Sequence, residues 1–153
     1  MEIISMIMKI DEKDHEILEL LEKDASLTKK QIAKKLSLPL TTVHNRISKL
    51  EKEKVILGYK AKIDKKKLGL SLPAYVEITV KYLSPNYSQE KLAQEIAKCP
   101  EVEEVSIMAG ETDIIAKVRV KDADSLNDFL IKRLRILPSV DKTNTMVVIK
   151  EIK

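Results

Sequence analysis

Along the first third of the chain apolar residues recur at helical spacing; beyond it they fall in short alternating runs broken by two further helical stripes. Asp11 stands before Glu12, Lys13 and Asp14 as an N-cap with acids in the first turn, and Ile17, Leu18, Leu20 and Leu21 continue the stripe to about Lys23. A second helix opens at Thr28-Lys29-Lys30-Gln31, a capping box in which each end side chain can bond the other's backbone N–H. It buries Ile32, Ala33 and Leu36 and stops at Ser37-Leu38-Pro39. A third helix is predicted from about Leu40 to Lys52, with Val43, Ile47 and Leu50 on one face.

The opposite face of this third helix carries Thr41, Thr42, His44, Asn45, Arg46, Ser48 and Lys49, with no acid before Glu51. Hydroxyl, amide, imidazole and cationic groups can bond base edges and phosphates, and a short turn between the second and third helices matches helix-turn-helix spacing. A plain three-helix bundle with a polar surface would show the same apolar pattern. From Val55 to Asp64, Val55, Leu57, Tyr59, Ala61 and Ile63 alternate with Ile56, Gly58, Lys60 and Lys62, which predicts a linking strand or wing. Lys60 and Lys62 suit phosphate contact and equally suit a solvated strand edge that resists aggregation. Lys65-Lys66-Lys67 and Gly69 then mark a boundary.

The remainder reads as β-α-β-β-α-β: a strand over Ala74 to Leu83, a turn over Ser84 to Tyr87, a helix over Ser88 to Lys98 closed by Pro100, and strands through Val102–Ala109 and Ile114–Val120. A helix capped by Asp122 or Asp124 follows, with Leu126, Phe129, Leu130, Leu134 and Leu137 as its stripe, and a last strand runs from about Lys142 to Ile149. This order is that of a ferredoxin-like split sandwich, an antiparallel sheet with helices on one face. The other face would hold Val, Ile and Tyr positions, which argues for a second subunit against it. The fold class is therefore α+β, a winged helix-turn-helix domain followed by a ferredoxin-like domain, with boundaries at 1–54, 55–72 for the linker strand or wing, and 73–153.

Charge placement changes the picture more than composition does. The chain of 153 residues has a net charge of only +4. From Thr28 to Lys67, however, thirteen bases face three acids, for a net of +10, against −5 before it and −1 after it. Such a block attracts phosphate backbones, although a lysine-rich surface of the heat-adapted kind would look alike. A single cysteine, Cys99, excludes a disulfide framework or a Cys-rich zinc site in one chain, and the three glycines are too scattered for a phosphate-cradling loop. No apolar run approaches the roughly 20 residues of a membrane span. Met1 to Met8 lacks the features of a signal peptide, so the protein is expected in the cytoplasm with no membrane partner; Met6 or Met8 would serve as alternative starts.

In order and spacing, these features resemble the Lrp/AsnC (feast/famine) family of transcription regulators. The opening Ile10-Asp11-Glu12-Lys13-Asp14 with Ile17-Leu18 is similar to the family's first helix. Ile32-Ala33, Leu38, Thr42-Val43, Arg46-Ile47 and Leu50-Glu51 are similar to its helix-turn-helix. Val55-Ile56-Leu57-Gly58-Tyr59 resembles the connector, and Pro100-Glu101-Val102, Gly110-Glu111-Thr112-Asp113 and Leu137-Pro138-Ser139-Val140 resemble landmarks of the regulatory domain. Two departures stand out: Lys54 replaces a helix-ending glycine, so it must take the left-handed conformation or end the helix otherwise, and Pro39 replaces a capping serine.

The resemblance implies a sequence-specific regulator that binds double-stranded DNA as a homodimer, assembling further to a tetramer or octamer, and needs no cofactor or metal. Base readout is expected from Thr42, His44, Asn45 and Arg46, and phosphate contact from Lys29, Lys30, Thr41 and Lys49. It further implies a small-molecule effector, an amino acid or related metabolite, at the turn Gly110, Glu111, Thr112 and Asp113. There Gly110 would let a ligand approach and Asp113 would accept from an α-ammonium; Thr143 and Thr145 are weaker candidates. The alternative for this turn is an ordinary β-turn with Asp113 bonding backbone. Two rival functions are a sirohaem-decarboxylase-like enzyme, disfavoured because no histidine lies between Leu68 and Lys153, and a non-specific DNA organiser.

Overall fold

The computed structural model describes residues 10–82 and 88–152. The chain divides into one unit running to Ile63 and another beginning at Asp64.

In the first unit, α1 spans Glu12–Lys23, α2 Lys29–Leu36 and α3 Leu40–Lys52. The helices start where their caps demand. Asp11 Oδ1 accepts from the Asp14 N–H at 2.9 Å while Asp14 Oδ2 accepts from the Asp11 N–H at 3.2 Å. Thr28 and Gln31 make the matching pair at α2. Ile17, Ile32, Ala33, Val43 and Ile47 form the core between the three helices, with Leu20, Leu36 and Ile56 packed around it. Pro39 precedes α3 and offers its first N–H groups no side-chain acceptor.

Lys54 takes the left-handed conformation at φ 58°, which lets Val55 and Ile56 both donate to the Leu50 carbonyl and close α3. A side chain with a Cβ pays for that conformation in steric strain that glycine escapes. Lys54→Gly should therefore raise the stability of this unit by up to about 1 kcal/mol in a denaturant titration, with the slope m unchanged.

The expected linker strand is absent from the described residues. After Ile56 no regular element appears until a single 3₁₀ turn at Lys66–Leu68. Alternation supplies a face but not a partner, and a strand exists only where a neighbour takes up its N–H and C=O groups. The apolar members of the pattern stay out in solvent: Leu57 is 87% exposed, with Tyr59 and Ile63 more than half exposed. Tyr59 is nevertheless anchored, its hydroxyl donating to Glu51 at 2.8 Å; loss of hydration and the adjoining carboxylate push the phenol up to about 12.

In the second unit, β1 (Leu72–Val80), α4 (Gln89–Ala97), β2 (Val102–Ile107), β3 (Ile114–Val120), α5 (Ala123–Phe129) and β4 (Val140–Val147) build an antiparallel sheet of order β2-β3-β1-β4. This is the expected βαββαβ order. β1 ends at Val80, short of the predicted Leu83, after a register shift between Thr79 and Val80; Leu83 and the predicted turn lie outside the described residues. Ala74, Val76 and Ile78 of β1 and Ile114, Ala116 and Val118 of β3 are buried together with Leu92 and Ile96 of α4 and Leu126 and Phe129 of α5.

The open face of the sheet differs from expectation. Its alternate positions bring Tyr75, Ile115 and Met146 among polar groups rather than into an apolar surface, because the Val positions point into the core. Asn144 donates to Glu77 at 2.8 Å, Lys117 lies 6.0 Å from the Tyr75 ring centroid, and the largely buried Arg119 donates to Glu103 and Glu151 at 2.9 and 2.6 Å. The helix after β3 also differs: α5 is followed by a π turn, Leu130–Leu134, in which Arg135 N–H reaches back to the Leu130 carbonyl at 2.9 Å.

Candidate nucleic-acid interface and regulatory loop

The turn Ser37-Leu38-Pro39 joins α2 to α3, with Ser37 in the left-handed conformation at φ 54° and Leu38 N–H bonded to the Ala33 carbonyl. This fixes α3 with Val43, Ile47 and Leu50 inward and Thr41, His44, Asn45 and Lys49 exposed. Thr42 is half-buried at the side. Lys29 and Lys30 occupy the first turn of α2, which holds no acid, and the first turn of α3 holds none either. Cations at a helix N-terminus oppose the helix dipole. They and the uncapped N–H groups behind Pro39 are the arrangement that an approaching anion relieves.

Arg46, expected to read bases, is committed elsewhere. Its Nη1 donates to Asp11 Oδ1 and Oδ2 at 2.8 and 2.7 Å and to Asp14 Oδ1 at 2.8 Å. The Arg46 guanidinium holds the Asp11 carboxyl below the usual carboxylate range, and the two acids in turn raise the Arg46 pKa. Asp14 is buried to 4% exposure, so this pair ties the start of α1 to the middle of α3. A surface cleft of about 410 Å³ lies over the clamp, lined by Asp11, Asp14, Arg46, Thr42, Asn45 and Lys49. Arg46 thus offsets two acids that would otherwise repel a phosphate at this edge. Sequence reasoning placed Arg46 on the polar face correctly by spacing, but its acidic partners come from residues 32 and 35 positions earlier.

The turn from β2 to β3 is closed by Met108 N–H on the Asp113 carbonyl at 2.8 Å. Asp113 does not project a free carboxylate. Its Oδ2 accepts from the Val80 N–H at 2.8 Å and its Oδ1 from Gln89 Nε2 at 2.8 Å and Tyr82 Oη–H at 3.4 Å. One side chain thereby holds the end of β1, the start of α4 and the loop together. Gly110 and Glu111 are exposed and Thr112 is half-buried; a Cβ added at Gly110 would meet nothing. Thr143 accepts from Arg135 Nε and Nη2 at 3.2 and 3.1 Å, and pairs with Ile78 as Ile78 pairs with Ile114. It is thus two strands, or about 10 Å, from the loop. Thr145 is a further pair along the same strand. The structure does not bring these threonines beside Asp113 within one chain. His15 and His44 are exposed, and among the described residues no cluster of His, Cys, Asp or Glu is suited to a metal. No helix among them is long and apolar enough to cross a membrane.

Comparisons with known proteins agree with this division. A winged helix-turn-helix DNA-binding model matches residues 10–56, and an Lrp/AsnC ligand binding domain model matches residues 73–153. An uncharacterised HTH-type transcriptional regulator of Pyrococcus furiosus is 40% identical over 144 residues, spanning 94% of this chain and 95% of its own. Among solved structures, Bacillus subtilis LrpC is 32% identical with a TM-score of 0.83, over 95% of this chain and 99% of that one. A Neisseria meningitidis transcriptional regulator, solved as a complex with L-Met, has the same fold at a TM-score of 0.87 and 24% identity, over 94% and 92% of the two chains.

Proposed function

The chain belongs to the Lrp/AsnC family of transcription regulators, and from that premise we propose that α3 lies in the DNA major groove with Thr41, Thr42, His44, Asn45 and Lys49 toward the duplex. A role as an enzyme has no support from its relatives, which are DNA-binding regulators. The observation that carries the reading is the outward surface of α3, polar from Thr41 to Lys49 with no acid before Glu51, within the basic block. In it Asn45 and His44 suit base edges, while Lys49, Thr41, Lys29 and Lys30 suit phosphates. Arg46 is a positioning residue in this scheme, holding α3 against α1 rather than reading a base.

Counterion release tests the phosphate half of this proposal. Binding should weaken steeply with salt, and Lys49→Gln should make the log–log slope shallower by about one unit on any duplex, measured by fluorescence anisotropy. A flat salt dependence would sink the DNA reading.

The second unit, by the same reasoning, takes a small effector at the exposed backbone of Gly110, Glu111 and Thr112, an amino acid being the expected class. Asp113 shapes that loop from beneath. Exposed Leu57, Tyr59 and Ile63 support a homodimer, in which a second copy supplies the partner the linker lacks, and higher assembly beyond it.

A further inference from the structure

At the other end of β2 from the Gly110 loop is a cleft of about 680 Å³ between the turn after α4 and the helix after β3. The length of β2 separates the two places by about 20 Å. Cys99, Glu101, Phe129, Lys132, Arg133 and Ile136 line the cleft. Three features set it apart from an ordinary surface groove. Glu101 Oε2 is shielded from solvent with no hydrogen-bond partner among the described residues, a costly state for a carboxylate oxygen. Its other oxygen is 3.2 Å from Arg133 Nε. The wall opposite is the π turn Leu130–Leu134, a distortion that recurs at functional sites, and it carries Lys132 and Arg133 into the rim.

We propose that this cleft is a second ligand site, which takes a small zwitterion with an apolar side chain, an α-amino acid being the simplest. Glu101 accepts from the ammonium group, satisfying the orphaned oxygen; the terminal torsion of a glutamate is soft enough to turn that oxygen into the cleft. Arg133 keeps donor N–H groups beyond its Nε, and Lys132 stands at 69% side-chain exposure on the rim, its one ion-pair partner among the described residues being the exposed Asp128, 2.8 Å away. These two cations take the carboxylate. Phe129 floors the site and Ile136, 65% exposed, covers the side chain. The charges of Glu101, Asp128, Lys132 and Arg133 cancel, which selects a neutral zwitterion over a plain anion or cation. The Cys99 thiol, its pKa raised mainly by burial, stays protonated and adds apolar wall.

The test is a titration of L-leucine into the full-length protein with labelled isoleucine methyl groups, followed by NMR. The Ile136 methyl should shift saturably. Glu101→Gln should weaken that response about tenfold, a change of about 1.4 kcal/mol in binding. Lys132→Gln, an exposed change that leaves the fold alone, should weaken it in the same direction. N-acetyl-L-leucine, which has no ammonium, should leave Ile136 unmoved. Ile107, at the end of β2 that leads into the Gly110 loop, reports on the effector reading separately. If Ile107 moves and Ile136 does not, the second site is overturned and the loop site stands. An Ile136 methyl that ignores L-leucine, or responds equally in Glu101→Gln, also overturns the proposal.

Discussion

Arg46→Ala should lose DNA binding at every salt concentration, by loosening the helix-turn-helix rather than by deleting a base contact. The substitution strands Asp14, which is nearly inaccessible, together with Asp11 beside it. Breaking a buried pair by removing one member costs about 3–5 kcal/mol, and the partial exposure of Arg46 and Asp11 puts this case at the lower end, about 3. A unit of this size has total stability of only a few kcal/mol, so the melting midpoint should fall by more than about 10 °C. Restoring the local net charge in Asp14→Asn/Arg46→Met should recover most of the loss, a double-mutant coupling that a base-reading arginine would not show. Acid has the same effect in the wild type. The Asp11 carboxyl is depressed in the folded state, so its contribution is present above the ordinary carboxylate pKa of about 4 and is lost as pH falls through the folded value. In Arg46→Ala that acid-dependent part of the stability should shrink.

Asp113→Ala should destabilise the second unit by about 2 kcal/mol in the absence of any ligand. The Val80 N–H it satisfies belongs to a residue only 6% exposed, and Gln89 at the start of α4 loses one of its two acceptors, keeping Tyr82 Oη. An orphaned buried donor costs about 1–3 kcal/mol, and of the three donors that lose Asp113 the Val80 N–H is the buried one. Asp113→Asn should fall between, because its amide keeps one acceptor oxygen for either Val80 or Gln89. Calorimetry separates this role from ligand binding. A carboxylate held free for an α-ammonium would leave the unliganded midpoint unchanged on removal. A structural one lowers it, and weakens the effector response only by loosening the loop.

What the sequence made readable was whatever depended on neighbours a few positions apart. The Asp11 and Thr28 caps, the Val43–Ile47–Leu50 stripe and the βαββαβ order all follow from local spacing, and the left-handed Lys54 from a glycine that is missing there. The failures share one cause. Arg46 read as a free cation because Asp11 and Asp14 are more than thirty residues away; Asp113 read as a turn carboxylate because Val80 and Gln89 are 33 and 24 residues away in sequence. The Leu57–Ile63 segment alternated as a strand should, but pairing is a property of two strands. The π turn at Leu130–Leu134 left the hydrophobic stripe intact, so periodicity could not reveal it.

The recognition helix carries the central claim, and Asn45→Ala tests it most directly. Asn45 is exposed on α3 and takes part in none of the side-chain hydrogen bonds or ion pairs among the described residues that hold the fold. The measurement compares affinity for a duplex selected from a random-sequence pool with affinity for bulk DNA, in wild type and variant, across salt. With α3 reading the base edges, Asn45→Ala loses about 1–3 kcal/mol on the selected duplex only, with its salt slope and its binding to bulk DNA unchanged. Equal affinity of wild type and Asn45→Ala for the selected duplex, or a wild type that does not discriminate it from bulk DNA, would contradict α3 as the reading helix.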